Sequence, residues 1–223
     1  MDTSAFAKYR DVAWPHRFAG TLRVTRICGG VPSDPNVAET WLKAKLGVAD
    51  ENVLQRQVTE VMVERGIPLD EAIADVNRNR YLTGFKRDDQ GLYIEGRQVK
   101  AAIKEATEIA VSSGKIEQKG WGTTRKWIKA FTAEHICVIE DRIHLGVMEP
   151  TGISQRFVHS RFGSSLQHEE YVDDVDINFT VTTDYDFSEH HWAMVWLTGE
   201  QQGIGATRSQ GYGRYTVTRW EKL

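Results

Sequence analysis

Ser188–Trp220 reads SEHHWAMVWLTGEQQGIGATRSQGYGRYTVTRW. Three pieces stand in a row here: an apolar helix pattern, a glycine-rich loop and an alternating strand. Ser188 is suited to cap a helix that carries Trp192, Val195 and Trp196 and closes near Gly199. The loop follows, with Gly203, Gly205, Gly211 and Gly213 flanking Arg208, Ser209, Tyr212 and Arg214. Residues 212–220 then alternate, with Tyr212, Arg214, Thr216, Thr218 and Trp220 on one face and Tyr215 and Val217 on the other. Glycine permits positive φ and close approach of backbone to a ligand. Consecutive N–H groups in such a loop can form an anion-binding nest. Arg208 and Arg214 add fixed positive charge suited to phosphate. The loop thus predicts a phosphate-rich ligand, against the alternative of a plain helix-to-strand turn. Two familiar phosphate motifs fail: a dinucleotide fingerprint from Gly203 needs glycine where Arg208 stands, and a P-loop needs Lys where Tyr212 follows Gly211.

Working outward, residues 175–183 alternate cleanly, with Val175, Ile177, Phe179 and Val181 inward. Residues 134–139 read as a strand. Residues 96–111 read as a helix with Val99, Ala102, Ile103, Ala106 and Ala110 on one stripe. Residues 20–28 read as a strand with Leu22 and Val24 on one face and Arg23 on the other. The order is β-α-β-β-α-β, which predicts an α+β, ferredoxin-like or RRM-like core within a single domain over 1–223. Two inserts interrupt it. One, at about 31–91, carries helix patterns at 36–46, 51–65 and 69–77 and a loop over 84–93. The other, at about 140–174, is polar and compatible with a projecting hairpin. Residues 115–126 read as a loop.

The totals set bounds. Lys and Arg number 28 against 31 Asp and Glu, a net charge of −3, so any nucleic-acid contact must come from a local patch rather than bulk charge. Cys28 and Cys137 stand far apart, outside any C-x-x-C pair, which suits a reducing cytoplasm and argues against a disulfide framework or zinc ribbon. The N-terminal sequence has no apolar signal core. The strongest apolar run, Trp192 to Leu197, is far too short to span a membrane.

Three segments, 40 of the 223 residues, together resemble the RAMP superfamily, in particular the backbone subunits of CRISPR effector complexes. GTLRVTRICGG ends an opening strand in a glycine pair. YIEGRQVKAAIKEA is similar to that family's YIPGSSLKGALR element, with Tyr93, Ile94, Gly96, Lys100 and Ala102 matching outright. GIGATRSQGYGRYTV matches its G-x-G-x-x-R-S-x-G-Y-G-R loop. Departures are Glu95 and Arg97-Gln98 in place of the usual proline and serines, Ala101 in place of a glycine, and a longer first insert. The resemblance implies an RRM-like core that holds guide RNA along its backbone, copies of the chain side by side on that RNA, other effector subunits as partners, and a role in antiviral defence. It also implies a thumb-like hairpin where 140–174 stands.

The residues expected to bind RNA are those of the loop (Gly203, Gly205, Arg208, Ser209, Gly211, Tyr212, Gly213 and Arg214) and the row Arg97, Lys100 and Lys104, which recurs at helical spacing opposite the apolar stripe. Nearby Glu105 and Glu108 favour the blander reading, a solvated face. Asp34 is the candidate for catalysis, since in family members that cut target RNA an aspartate follows the first strand; here Val31-Pro32-Ser33 intervenes. Its alternative is a turn aspartate ahead of Pro35. His168-Glu169-Glu170 fails the H-E-x-x-H zinc pattern at Val172. Asp173, Asp174 and Asp176 read as an acidic strand edge that discourages pairing, rather than as ligands of a divalent ion. His190 and His191 read as a surface or half-buried pair, and His16 lacks a recognisable partner. Trp121, Trp127, Phe157 and Phe162 are candidates for base stacking or for satellite packing. The sequence therefore predicts a non-catalytic, guide-RNA-binding subunit with no cofactor and no metal. The alternatives are a metal-dependent RAMP endoribonuclease that cuts guide or target RNA, and a structural or interaction protein, of viral or other origin, that reuses the fold.

Overall fold

A computed structural model describes residues 9–32, 82–117, 125–160 and 163–223, with 59–60, 62–66, 68–69 and 71. After a one-turn helix, Arg10–Ala13, come β1 (His16–Cys28), β2 (Val31–Pro32), β3 (Leu82–Gly84), β4 (Lys86–Asp88) and β5 (Gly91–Glu95). Then follow α1 (Gly96–Ser112), α2 (Arg125–His135), β6 (Ile136–Val138), β7 (Arg142–His144), β8 (Gly152–Ser160), β9 (Gly163–Thr183), α3 (Glu189–Gln202) and β10 (Tyr215–Lys222). The chain divides into two units: 1–28, 87–149 and 172–223 in the first, 29–86 and 150–171 in the second.

In the first unit the strand order is β10-β1-β9-β6. Alternation builds it. Phe18, Gly20, Leu22 and Val24 of β1 are buried, as are Val175, Ile177, Phe179 and Val181 of β9. On the opposite face Thr21 meets Asn178, Arg23 meets Asp176 and Arg26 meets Asp173. The partner numbers fall as the first rise, so the two strands run antiparallel. Both slip phase at one level: burial resumes at Ile27 on β1, and Val172 and Val175 are buried on either side of Asp174, which takes φ 52°. That is the signature of an extra residue in the strand. Helices α1 and α3 pack on each other, α1 also on β6 and α3 on β10. The arrangement is mixed α+β and compatible with a ferredoxin-like core.

The helix stripe stands as expected: Val99, Ala102, Ile103, Ala106 and Ala110 are all buried. The hydroxyl of Ser188 caps α3 by accepting from the His191 N–H at 3.2 Å. The helix does not close at Gly199, however. It runs on to Gln202 and ends at Gly203, φ 75°. Gly199 serves packing instead, since a Cβ there would occupy the place of the Tyr215 hydroxyl. Trp192, Trp196, Phe18, Phe179 and Trp220 form one aromatic cluster between sheet and helix. Simple alternation puts Trp220 on the face away from Tyr215 and Val217, and the structure corrects this. The β1–β10 register jumps from Thr21↔Arg219 to Leu22↔Val217, so Thr218 is an extra residue that returns Trp220 to the inner face. Gly20 makes room for both rings: a Cβ there would lie 2.7 Å from Phe179 and 3.2 Å from Trp220.

Other expectations need correction. The 84–93 stretch is not a loop but carries β4 and most of β5, and β5 pairs with β7 (Tyr93↔His144, Ile94↔Ile143). The strand expected at 134–139 is only Ile136–Val138, because α2 extends through His135. Its buried residues Ile128 and Thr132 lie one turn apart, a period that a window as short as a strand conceals. The last strand starts at Tyr215 rather than 212, after a turn. Asp173 and Asp176 do not mark an edge: β9 lies between β1 and β6, and both carboxylates take arginines of β1.

The second unit holds β2, β3, β8 and the first part of β9. β8 and β9 form a hairpin in register from Gly152↔Tyr171 to Ser160↔Gly163, and β3 runs parallel to β9 at Leu82↔His168. Here His168-Glu169-Glu170 is structural. Glu169 pairs with Arg156, and the Glu170 carboxylate accepts the Phe85 N–H at 3.1 Å. The helix pattern at 36–46 lies outside the described residues. Those at 51–65 and 69–77 are helical at the positions described (59–60, 62–65, 69 and 71).

Candidate nucleic-acid interface

Between α3 and β10 the chain takes positive φ five times, at Gly203, Gly205, Thr207, Gly211 and Gly213, around a 3₁₀ turn at Arg208–Gln210. The backbone must reverse sharply because the loop is stapled to the end of β1. The Gly213 N–H donates to the Arg26 carbonyl at 2.7 Å and the Ala206 N–H to the Cys28 carbonyl at 3.2 Å. Across the loop, the Ile204 N–H donates to the Gly213 carbonyl at 2.8 Å. Three glycines are therefore needed for packing on protein. A Cβ at Gly205 would lie 2.8 Å from Ile27, one at Gly203 would meet the Gly213 backbone at 2.8 Å, and one at Gly213 would overlap the Ile204 carbonyl. Gly211, φ 88°, faces open space. The expected nest of consecutive free N–H groups is thus largely spent within the protein: those of 203, 204, 206, 210, 211 and 213 all meet carbonyls.

The loop carries its side chains on its outer turn. Ser209 and Arg214 are exposed, Tyr212 is half-buried, and Arg208 reaches α1, where its guanidinium donates to the Glu105 carboxylate. One nitrogen makes this contact, and a guanidinium has five N–H donors. Glu105 follows Lys104 in α1, so the structure brings Arg208 to the helix that carries Arg97, Lys100 and Lys104. Arg97 is engaged with Glu95 at 2.7 Å. Lys100 and Lys104, both half-buried, make no ion pair among the described residues. Glu108 does not dilute them, because it turns to Lys129 on α2. The elements missed by sequence reasoning are the Arg26 and Cys28 carbonyls that hold the loop. Backbone groups carry no sequence label, so no signal could have found them.

A second cluster lies around Asp88. His144 Nε2 stands 2.9 Å from its carboxylate, Arg142 donates to it at 2.8 Å, and Arg142 also sits 5.2 Å over the Tyr93 ring. Desolvation pushes the Asp88 carboxyl up, but hydrogen bonds from the Gln90 N–H, His144 and Arg142 outweigh it and hold the group below its ordinary value. Asp88, His144 and Arg142 thereby fix the β4–β5 hairpin to β7.

Asp34, Trp121 and Phe162 lie outside the described residues. His16 has a distant partner in Asp186 at 3.9 Å. His191 is buried and held down to about 4 by that burial, with His190 adding to the effect, while His190 is exposed and meets the Lys115 carbonyl. Among the described residues no group of His, Cys, Asp or Glu is arranged to hold a metal ion, and no helix is long and apolar enough to cross a membrane.

No protein-family model matches the chain, and no curated protein does. Solved structures do. One is a chain of a type III-B Cmr-beta complex bound to cognate target RNA, at TM-score 0.52 and 10% identity over 97% of this chain. The likeness takes in 63% of that chain, so the present protein spans under two thirds of its length. Another is Cmr6 from Pyrococcus furiosus, at 14% identity over 90% of this chain and 97% of that one, with a TM-score of 0.38. This chain shares the fold of the matched part of the Cmr-beta chain.

Proposed function

We propose that this chain is a guide-RNA-binding backbone subunit of a CRISPR-type ribonucleoprotein, of the RAMP superfamily, with an RRM-like core. It lies beside copies of itself and other effector subunits along the RNA. The observation that carries the reading is the position of Arg208: a loop stapled to β1 holds it against α1, beside the row formed by Arg97, Lys100 and Lys104. The G-x-G-x-x-R-S-x-G-Y-G-R pattern and the fold shared with a chain of an RNA-bound Cmr complex support it. Contacts of this type read phosphate and shape, leaving sequence to base pairing.

RNA binding by the purified protein tests the reading. Arg208→Ala should weaken single-stranded RNA binding by roughly 1.5–3 kcal/mol, the worth of a charge-assisted contact, equally for unrelated sequences. Glu105→Gln should strengthen it by releasing the guanidinium. Unchanged filter binding in both folded variants would refute the assignment of this loop.

A further inference from the structure

Charge in this chain is segregated. Residues 96–135 hold eight Lys or Arg against four Glu, a net +4 within a chain of −3. They include α1 and α2, which run in opposite directions. Gly96 abuts Glu140 and Val138, beyond the end of α2, whereas Glu108, farther along α1, pairs with Lys129 near the start of α2. The first turn of α2 therefore sits toward the C-terminal end of the α1 row. Ile128 and Thr132 form the buried side of α2. Lys126 is exposed, and Trp127 beside it is 62% exposed. An indole is highly buried in the average protein, so an open one beside an exposed ammonium group is a feature to explain.

The geometry points to Trp127 as a stacking platform for a base of single-stranded RNA, at the far end of the cation row on α1. This rests on the RNA-binding reading above. A strand held by its phosphates at Lys100 and Lys104 travels about 12 Å along α1 to the level of Glu108, at 1.5 Å per residue. The Glu108–Lys129 pair is neutral there, and beyond it Lys126 meets the next phosphate while the indole face meets a base. Every base has a π-face, so the contact is tolerant of sequence, as a backbone-reading protein requires. A docked protein is the poorer match. Protein hot spots sit in desolvated apolar surroundings, and among the α2 residues whose exposure is described the other exposed ones, Lys126 and Glu134, are both charged.

The test uses the full chain and a fluorescently labelled oligouridylate, followed by anisotropy. Trp127→Ala should weaken binding about tenfold, within the range for one stacked base, and Trp127→Phe should recover most of it. With an abasic ribose–phosphate strand of the same length, wild type and Trp127→Ala should bind alike. Equal binding of the oligouridylate by wild type and Trp127→Ala, while Arg208→Ala still weakens it, overturns the platform and leaves the RNA reading standing. A Trp127→Ala defect that persists on the abasic strand overturns stacking. A defect seen only in self-association by sedimentation would make the surface a protein contact and overturn it too. If wild type binds neither strand, the RNA reading fails and takes the platform with it.

Discussion

At the scale of single residues, the glycines of the 203–213 loop separate by what surrounds them. Gly213 has φ 75°, and a Cβ there would overlap the Ile204 carbonyl; Gly211 has φ 88° but nothing within 4 Å of the same position. Gly211→Ala should therefore cost only the left-handed conformation, about 1–2 kcal/mol, and leave RNA affinity within a few-fold. Gly213→Ala adds backbone overlap that no side-chain rotation relieves, breaks the bond to Arg26 and displaces Arg208. It should lower the melting temperature more and abolish binding. Thermal melts alongside RNA titrations check both. Equal effects of the two substitutions would show that the loop is not held as described.

At the scale of elements, α1 joins two jobs on opposite stripes. Val99, Ile103, Ala106 and Ala110 pack inward, and Lys100 and Lys104 lie outward with no ion-pair partner among the described residues. Charge reversal at both, Lys100→Glu with Lys104→Glu, should leave the fold intact, because neither half-buried lysine belongs to the apolar stripe or to an ion pair among the described residues. RNA affinity should fall. The log–log dependence on salt should flatten by roughly 0.7 for each phosphate of a single strand that the lysines no longer neutralise. A slope identical to wild type would place the RNA path elsewhere.

For the whole molecule, the two units suggest where an assembly surface can be removed without harming the core. The hairpin of β8 and β9 is continuous with the second unit from 150 to 171, and the ion pairs Arg23–Asp176 and Arg26–Asp173 belong to the first. Replacing 153–170 by a short Gly-Ser bridge should keep the first unit folded, as reported by near-ultraviolet circular dichroism of its Trp192–Trp196–Trp220 cluster. It should also end RNA-dependent oligomerisation measured by light scattering. Oligomers of undiminished size would deny the hairpin a role as a thumb between neighbouring copies. A wider excision, over 140–174, would remove β7 from β5 and Asp173 from Arg26 and so would confound the result.

The sequence by itself determined the alternations of β1 and β9, the apolar stripe of α1, the Ser188 cap and the place of the glycine loop, because each follows from a local period or a local hydrogen bond. Only the tertiary structure decided what sits against what. The bulge at Thr218 returns Trp220 to the inner face of the β1–β10 register, and position 199 inside α3 takes glycine because Tyr215 fills the space a side chain would occupy. Asp173 and Asp176 pair with arginines that lie roughly 150 residues away in the chain. The glycines of the loop were legible as permission for an unusual backbone path. That the path closes on β1 and delivers Arg208 to Glu105 depends on carbonyls and carboxylates brought together by folding, and no local pattern encodes such pairings.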